Sequence, residues 1–125
     1  MKITVLLLVL IAITSCRDGA ENNPAFGAWE HVESLSDIGD GNATYQKVDS
    51  DKTLLFTAYG TVISNKNVCV GNNYTDATVA TWNPDENSFN AGDCIASYEL
   101  DEAQETLTVS YQCMEACGEK YVRAK

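Results

Sequence analysis

The chain has 125 residues, and its 18 acidic side chains against eight basic ones give a formal net charge of −10 at pH 7. This length is enough for one small domain with a modest core and leaves no room for a second domain. Nucleic acids are bound through clusters of Lys and Arg, which this composition lacks, so we expect no nucleic-acid partner.

The first 16 residues, MKITVLLLVLIAITSC, have one basic residue followed by an apolar run that is too short to span a bilayer. That pattern is typical of a secretory signal peptide. The letters ITS before Cys16 resemble the lipobox of bacterial lipoproteins, in which the cysteine becomes the lipidated first residue of the mature protein. The resemblance implies a signal peptide over residues 1–15 and acyl chains such as palmitate on Cys16. It also implies export to a bacterial cell envelope, where the lipid anchors the protein in the membrane, which we expect to be the outer membrane.

Residues 17–26, RDGAENNPAF, are polar and rich in turn-forming residues. Together with the lipidated cysteine they predict a flexible tether over 16–26. From Gly27 onward, short runs of β-forming residues alternate with turn signals, and no helical stripe of three turns is found. We therefore predict one all-β domain over residues 27–125.

The turn signals divide this domain into nine candidate strands, which we expect to form an antiparallel meander. Apolar and polar side chains alternate cleanly in most of them, so one face is core and the other is solvated. The alternation fails at Trp29, His31 and Glu33, which predicts that the first strand lies at a sheet edge or at the seam of a closed barrel. The predicted ranges are 28–35, 43–48, 53–59, 61–69, 78–82, 87–90, 94–100, 106–112 and 119–124.

With Cys16 assigned to lipid, four of the five cysteines remain, and an even number in an exported small domain predicts two disulfides. A zinc site is the alternative, but the paired CxxC spacings of such sites are absent. An acidic turn also lacks the spacing of a calcium-binding EF-hand, so we predict no metal site. The four cysteines are Cys69, Cys94, Cys113 and Cys117, and the acidic turn contains Asp37, Asp40 and Asn42.

All three possible disulfide pairings remain open, and the sequence offers an argument for two of them. A hairpin that pairs Leu100 with Leu107 also pairs Tyr98 with Val109 and Ala96 with Tyr111 on the apolar face, and this register sets Cys94 opposite Cys113. Cys69 would then bond to Cys117. The second pairing closes Cys113 to Cys117 through one helical turn and joins Cys69 to Cys94. The register favours the first pairing.

Three segments resemble the small lipocalin-like domains of exported bacterial lipoproteins. Gly27-Ala28-Trp29 opens the first strand, LLFTAYGTV follows at 54–62, and CGEKYVR closes the chain at 117–123. The resemblance implies a small antiparallel β-barrel of about eight strands. In such barrels the GxW tryptophan plugs the closed end and a late arginine packs on its indole. Trp29 and Arg123 would take these roles as a cation–π pair.

A lipocalin-like barrel implies a monomer that binds a small hydrophobic ligand without a cofactor. Aromatic side chains could line such a site, although they serve equally well as core. A second hypothesis is an inhibitor of an extracellular hydrolase such as lysozyme, because small disulfide-braced barrel lipoproteins include such inhibitors and an acidic surface steers toward a cationic enzyme. A third is a structural envelope protein without ligand. The candidate lining residues are Phe56, Trp82, Tyr98 and Tyr111.

Residues for catalysis are scarce. His31 is the only histidine, and every mature cysteine is expected to be bridged, so no catalytic triad is predicted and we expect no enzyme. We expect His31 at the surface or the seam. Asp49 and Asp51 flank a predicted turn and would act as acid and base only beside a cleft, of which the sequence gives no sign.

Overall fold

The computed structural model describes residues 20–36, 39, 41–69, 76–113 and 117–125. The predicted signal peptide, the lipidation site Cys16, and the acidic residues Asp37 and Asp40 lie outside the described residues. Within the described ranges, no helix has the length and apolar character needed to cross a membrane.

Nine antiparallel strands form one sheet, in the order β2-β1-β3-β4-β5-β6-β7-β8-β9. The helical segments among the described residues are two short 3₁₀ turns, Ala20–Asn22 and Pro84–Glu86. The predicted all-β fold is therefore confirmed. The strands are β1 Gly27–Ser36, β2 Thr44–Lys47, β3 Thr53–Phe56, β4 Thr61–Ser64, β5 Thr78–Asn83, β6 Ser88–Asn90, β7 Ile95–Leu100, β8 Thr106–Tyr111 and β9 Gly118–Arg123.

The sheet closes into a barrel because β1 also pairs with β9. Eight strands, β1 and β3 to β9, form the closed wall. On the other edge of β1, β3 pairs with its first half and β2 with its second half, so β2 continues the line of β3. Residues 48–52 depart from the ladder between these two strands. The first strand thus lies at the closure seam, which is one of the two positions predicted for it.

Two strands are shorter than predicted, for local reasons. The β3–β4 hairpin turns tightly at Gly60, whose φ of +76° suits a residue without a Cβ. At the other end of β4, the Asn65 side chain accepts from the Thr53 amide at 2.8 Å and donates to the Asp51 carbonyl at 2.7 Å. These side-chain bonds end the ladder at Ser64, so residues 65–69 leave the barrel wall instead of extending β4.

The predicted register of β7 and β8 is confirmed, since Leu100 faces Leu107 and Ala96 faces Tyr111. The disulfide pairing that we favoured from this register is wrong. The ladder ends at the Ala96–Tyr111 pair, so Cys94 and Cys113 both lie beyond the paired strands. The Cys94 carbonyl instead accepts a hydrogen bond from Ala91 within the β6–β7 turn.

The disulfides follow the second pairing. Cys69 bonds to Cys94 with their Cα atoms 5.8 Å apart, and Cys113 bonds to Cys117 with their Cα atoms 6.1 Å apart. The first bond ties the segment after β4 to the β6–β7 turn. Each disulfide is expected to add about 2–4 kcal/mol to the stability of so small a domain.

Trp29 lies at one end of the barrel and is fully buried. Its indole Nε1 donates to the Ala25 carbonyl at 2.8 Å. The Arg123 guanidinium lies 4.1 Å from the indole ring centroid and donates to the Phe26 carbonyl at 2.7 Å and to the Pro24 carbonyl. Residues 24–26, placed in the predicted tether, therefore pack across this closed end, and the folded part begins before Gly27.

Replacement of Trp29 by Ala should lower the free energy of unfolding by about 3–5 kcal/mol, because it empties the closed end and leaves Arg123 without its ring. Urea unfolding followed by circular dichroism measures this change. Tyr59→Ala is the matched control, since Tyr59 is 86% exposed and its loss should leave the unfolding midpoint nearly unchanged. Equal midpoints for Trp29→Ala and the wild type would contradict a buried plug.

Candidate functional site

Aromatic side chains fill the half of the barrel next to the closed end. The Phe56 ring meets the rings of Trp82, Phe89 and Tyr98 edge-on, with centroids 5.1, 6.0 and 5.4 Å apart. The Trp82 indole also donates to the Tyr98 hydroxyl at 3.0 Å. Three of the four candidate ligand-lining residues thus pack on one another within the core.

The other half of the interior is polar and centres on the Glu119 carboxylate. Its Oε1 accepts from Lys52 Nζ and from the Tyr111 hydroxyl, each at 2.7 Å. Its Oε2 lies 3.1 Å from His31 Nε2. Glu119, Lys52 and His31 are at most 8% exposed. A buried carboxylate is tolerated only when its oxygens are paired in this way. Tyr111, the fourth candidate lining residue, belongs to this polar cluster.

Two hydrogen-bond acceptors determine which ring nitrogen of His31 carries the proton. Its Nε2 faces the Glu119 carboxylate and also lies 3.0 Å from the Glu33 carbonyl. Both groups accept hydrogen bonds, so the ring proton belongs on Nε2. Nδ1 is then a free acceptor, and the Ser50 hydroxyl lies 2.8 Å from it. Ser50, His31 and Glu119 therefore form a hydrogen-bonded relay.

Local backbone geometry brings this relay together. The pairing of β1 with β9 shifts register between His31 and Glu33, which marks a bulge in the first strand. Opposite this bulge, residues 48–52 leave the ladder and are held by backbone bonds at each end, from Val48 to Val32 and from His31 to Lys52. Ser50 Oγ accepts from the Lys52 amide at 3.2 Å, which fixes the hydroxyl next to the imidazole.

A half-open cleft of about 430 Å³, here called the His31 cleft, lies over the relay. His31, Ser50 and Lys52 are its polar residues nearest the core, and Val32 and Val48 supply apolar surface. Asp49 and Asp51 therefore do lie beside a cleft, which the sequence did not reveal, and both are exposed to solvent. The other lining residues are Glu30 and Thr53.

Burial and the Glu119 charge act on the titrating groups of the cluster. Burial lowers the pKa of His31 from its usual 6.5, outweighing the opposite effect of Glu119, and Lys52 lowers it further. His31 is thus neutral at pH 7. Burial, together with the nearby Glu119 charge, raises the pKa of Tyr111 and of Tyr121 well above 10. Both phenols therefore stay protonated throughout the physiological range.

The Tyr121 hydroxyl is fully buried, and no hydrogen bond of standard geometry is found for it within the described ranges. Its ring stacks at a tilt on His31, with centroids 5.2 Å apart. No cluster of His, Cys, Asp or Glu suited to a metal ion is found in the part of the chain that the structure describes.

Sequence reasoning missed Glu119 and Lys52, although a signal was present. Glu119 stands two residues before the inward-facing Tyr121, and Lys52 stands two residues before the inward-facing Leu54. Period-2 alternation thus predicts both charges inside the barrel. Charged residues at such positions are easily assigned to solvent, because unpaired charges are rarely buried.

No protein-family model and no curated protein matches the chain.

The lowered pKa of His31 predicts how stability depends on pH. The unfolded chain binds a proton near pH 6.5, whereas the folded chain resists it, so acid favours unfolding. The free energy of unfolding should therefore fall as pH drops through 6.5 toward the lower folded pKa. Urea unfolding at pH values from 5 to 7.5 measures this slope. His31→Gln should reduce it, and an unchanged slope in that variant would contradict a buried neutral His31.

Proposed function

We propose that this protein is an exported lipoprotein, anchored through Cys16 in the outer membrane of a bacterial cell, whose lipocalin-like barrel binds a small hydrophobic ligand. The observation that carries the proposal is the His31 cleft. Its volume of about 430 Å³ falls in the usual range for small-molecule sites, about 300–1,000 Å³. In this proposal the protein is a monomer and needs no cofactor.

The His31 cleft supports a ligand site better than the barrel interior does. The aromatic rings around Phe56 contact one another directly, so a ligand there would have to displace core side chains. The cleft opens to solvent without any such displacement. Val32 and Val48 offer apolar contact, and the His31–Ser50 pair offers one hydrogen-bonding group. A small molecule with an apolar body and one polar head fits these features.

The position of the anchor supports the membrane part of the proposal. Three residues, 17–19, separate Cys16 from Ala20, and the following segment packs across the closed end through Ala25. Four extended residues reach at most about 14 Å. A lipid on Cys16 would therefore hold the closed end near the bilayer surface.

Replacement of Cys16 by Ala should release the protein from the membrane fraction, because it removes the acyl chains that hold it there. Fractionation of cell envelopes followed by immunoblotting measures this. Cys113→Ala is a useful control, since it removes a different cysteine and should leave the protein with the membranes. Continued sedimentation of Cys16→Ala with membranes would contradict the lipoprotein assignment.

Native mass spectrometry of the full-length protein, extracted from the envelope in detergent, tests ligand binding. We expect a copurifying small molecule that Val48→Trp removes, because the larger side chain occupies the His31 cleft. Val79→Trp is the matched control, since Val79 is 65% exposed and lies outside the cleft lining. A molecule retained equally by both variants would place the ligand elsewhere.

Inhibition of a cationic hydrolase such as lysozyme is a second candidate, favoured by the loops at the closed end. Tyr59, 86% exposed, stands in the β3–β4 turn, and the loops 84–87 and 101–105 carry exposed acidic side chains. An exposed aromatic among charges of one sign is typical of a protein-binding surface.

Salt-sensitive binding to lysozyme that Tyr59→Ala weakens would favour this candidate. Absence of both ligand and lysozyme binding would leave a structural role in the envelope.

A further inference from the structure

We propose that Ser50 is an activated nucleophile that takes up the acyl group of a small ester bound in the His31 cleft. The inference deepens the proposed function and rests on it in one respect, that this cleft is the ligand site. It gives the relay of Ser50, His31 and Glu119 a chemical role that the sequence did not predict.

The contacts required for nucleophile activation are all present. The Ser50 hydroxyl lies 2.8 Å from His31 Nδ1, and His31 Nε2 lies 3.1 Å from the Glu119 carboxylate. A nucleophile, a base and a carboxylate that orients the base form the arrangement by which serine hydrolases activate their hydroxyl. Glu119 acts here as a positioning residue, because it contacts the imidazole rather than the substrate.

The imidazole is in the form that a base needs. With its proton held on Nε2 by Glu119 and the Glu33 carbonyl, Nδ1 presents a lone pair to the Ser50 hydroxyl. Burial keeps the ring unprotonated at pH 7. The Lys52 amide donates to Ser50 Oγ at 3.2 Å and holds the hydroxyl within reach of Nδ1.

The acyl transfer balances without any added reagent. Ser50 Oγ attacks the ester carbonyl carbon while its proton moves to His31 Nδ1. The bond between this carbon and the alcohol oxygen then breaks, and the leaving alcohol takes the proton back from His31. An acyl–Ser50 ester remains, and water attacks it by the same route, with His31 again accepting and returning a proton. The products are a carboxylic acid and an alcohol.

Charges around the cleft select the substrate. The exposed carboxylates of Glu30, Asp49 and Asp51 line the cleft, and the positive charge of Lys52 is paired with Glu119. The local field therefore disfavours anions. Small esters that are neutral or positively charged are the substrate class that these residues admit.

An alkyl fluorophosphonate tests the nucleophile directly. Attack by Ser50 Oγ on phosphorus expels fluoride and leaves a stable adduct, which peptide mass spectrometry of the full-length protein locates. We expect the adduct on Ser50, its loss in Ser50→Ala and its retention in Ser97→Ala, since Ser97 is an exposed serine on β7. His31→Gln should slow labelling on the order of 10²-fold or more.

The pH profile separates activation from a merely structural role. The labelling rate should rise as His31 loses its proton and then level off, with its midpoint below 6.5. Glu119→Gln should move this midpoint to lower pH, because the carboxylate raises the His31 pKa and Lys52 lowers it. A flat profile in the wild type would overturn the proposal, whether or not Glu119→Gln folds.

Two results distinguish failure of this inference from failure of the proposed function. A protein that carries its copurifying ligand in the His31 cleft but gives no Ser50 adduct overturns the acyl transfer and keeps the binding function. A protein with neither ligand nor adduct overturns both. Hydrolysis of p-nitrophenyl acetate that disappears in Ser50→Ala supports the complete cycle, and an adduct without such turnover supports acylation alone.

Discussion

The Glu119 carboxylate, buried inside the barrel, is the group on which the polar half of the interior depends. It holds Lys52 from the segment before β3, Tyr111 from β8 and His31 from β1. Without this charge, the Lys52 ammonium would be buried unpaired, which typically costs several kcal/mol. Without Lys52, the carboxylate would lose the cation that neutralises it and keep only the contacts to Tyr111 and His31. The cluster thus reinforces the β8–β9 and β9–β1 ladders and ties the segment before β3 to β9.

Side-chain contacts in both halves of the barrel reinforce the seam between the first and last strands. Near the closed end, Arg123 of β9 packs on Trp29 of β1. In the polar half, Glu119 of β9 contacts His31 of β1. Closure removes the free sheet edges that an open meander would expose. It also brings Glu119 of β9 against His31, which lines the His31 cleft.

The aromatic and polar halves of the barrel interior have different roles. Aromatic rings in edge-on contact fill one half and stabilise the fold, while the polar half lies next to a solvent-accessible cleft. A buried relay beside a small cleft is a better place for a ligand than a packed core, because its hydrogen-bonding groups are already oriented. The cost is a set of buried polar groups that must remain paired.

Local patterns in the sequence determined the all-β class, most strand positions, the inward faces and the β7–β8 register, because alternation and turn residues act over a few positions. The tertiary structure alone decided which distant residues meet. Cys94 bonds to Cys69 rather than to its expected partner, and Lys52 pairs with Glu119, 67 residues away. Alternation tells which side chains face inward, but barrel closure and the paths of the loops set which of them touch. The relay of Ser50, His31 and Glu119 exists only after that closure.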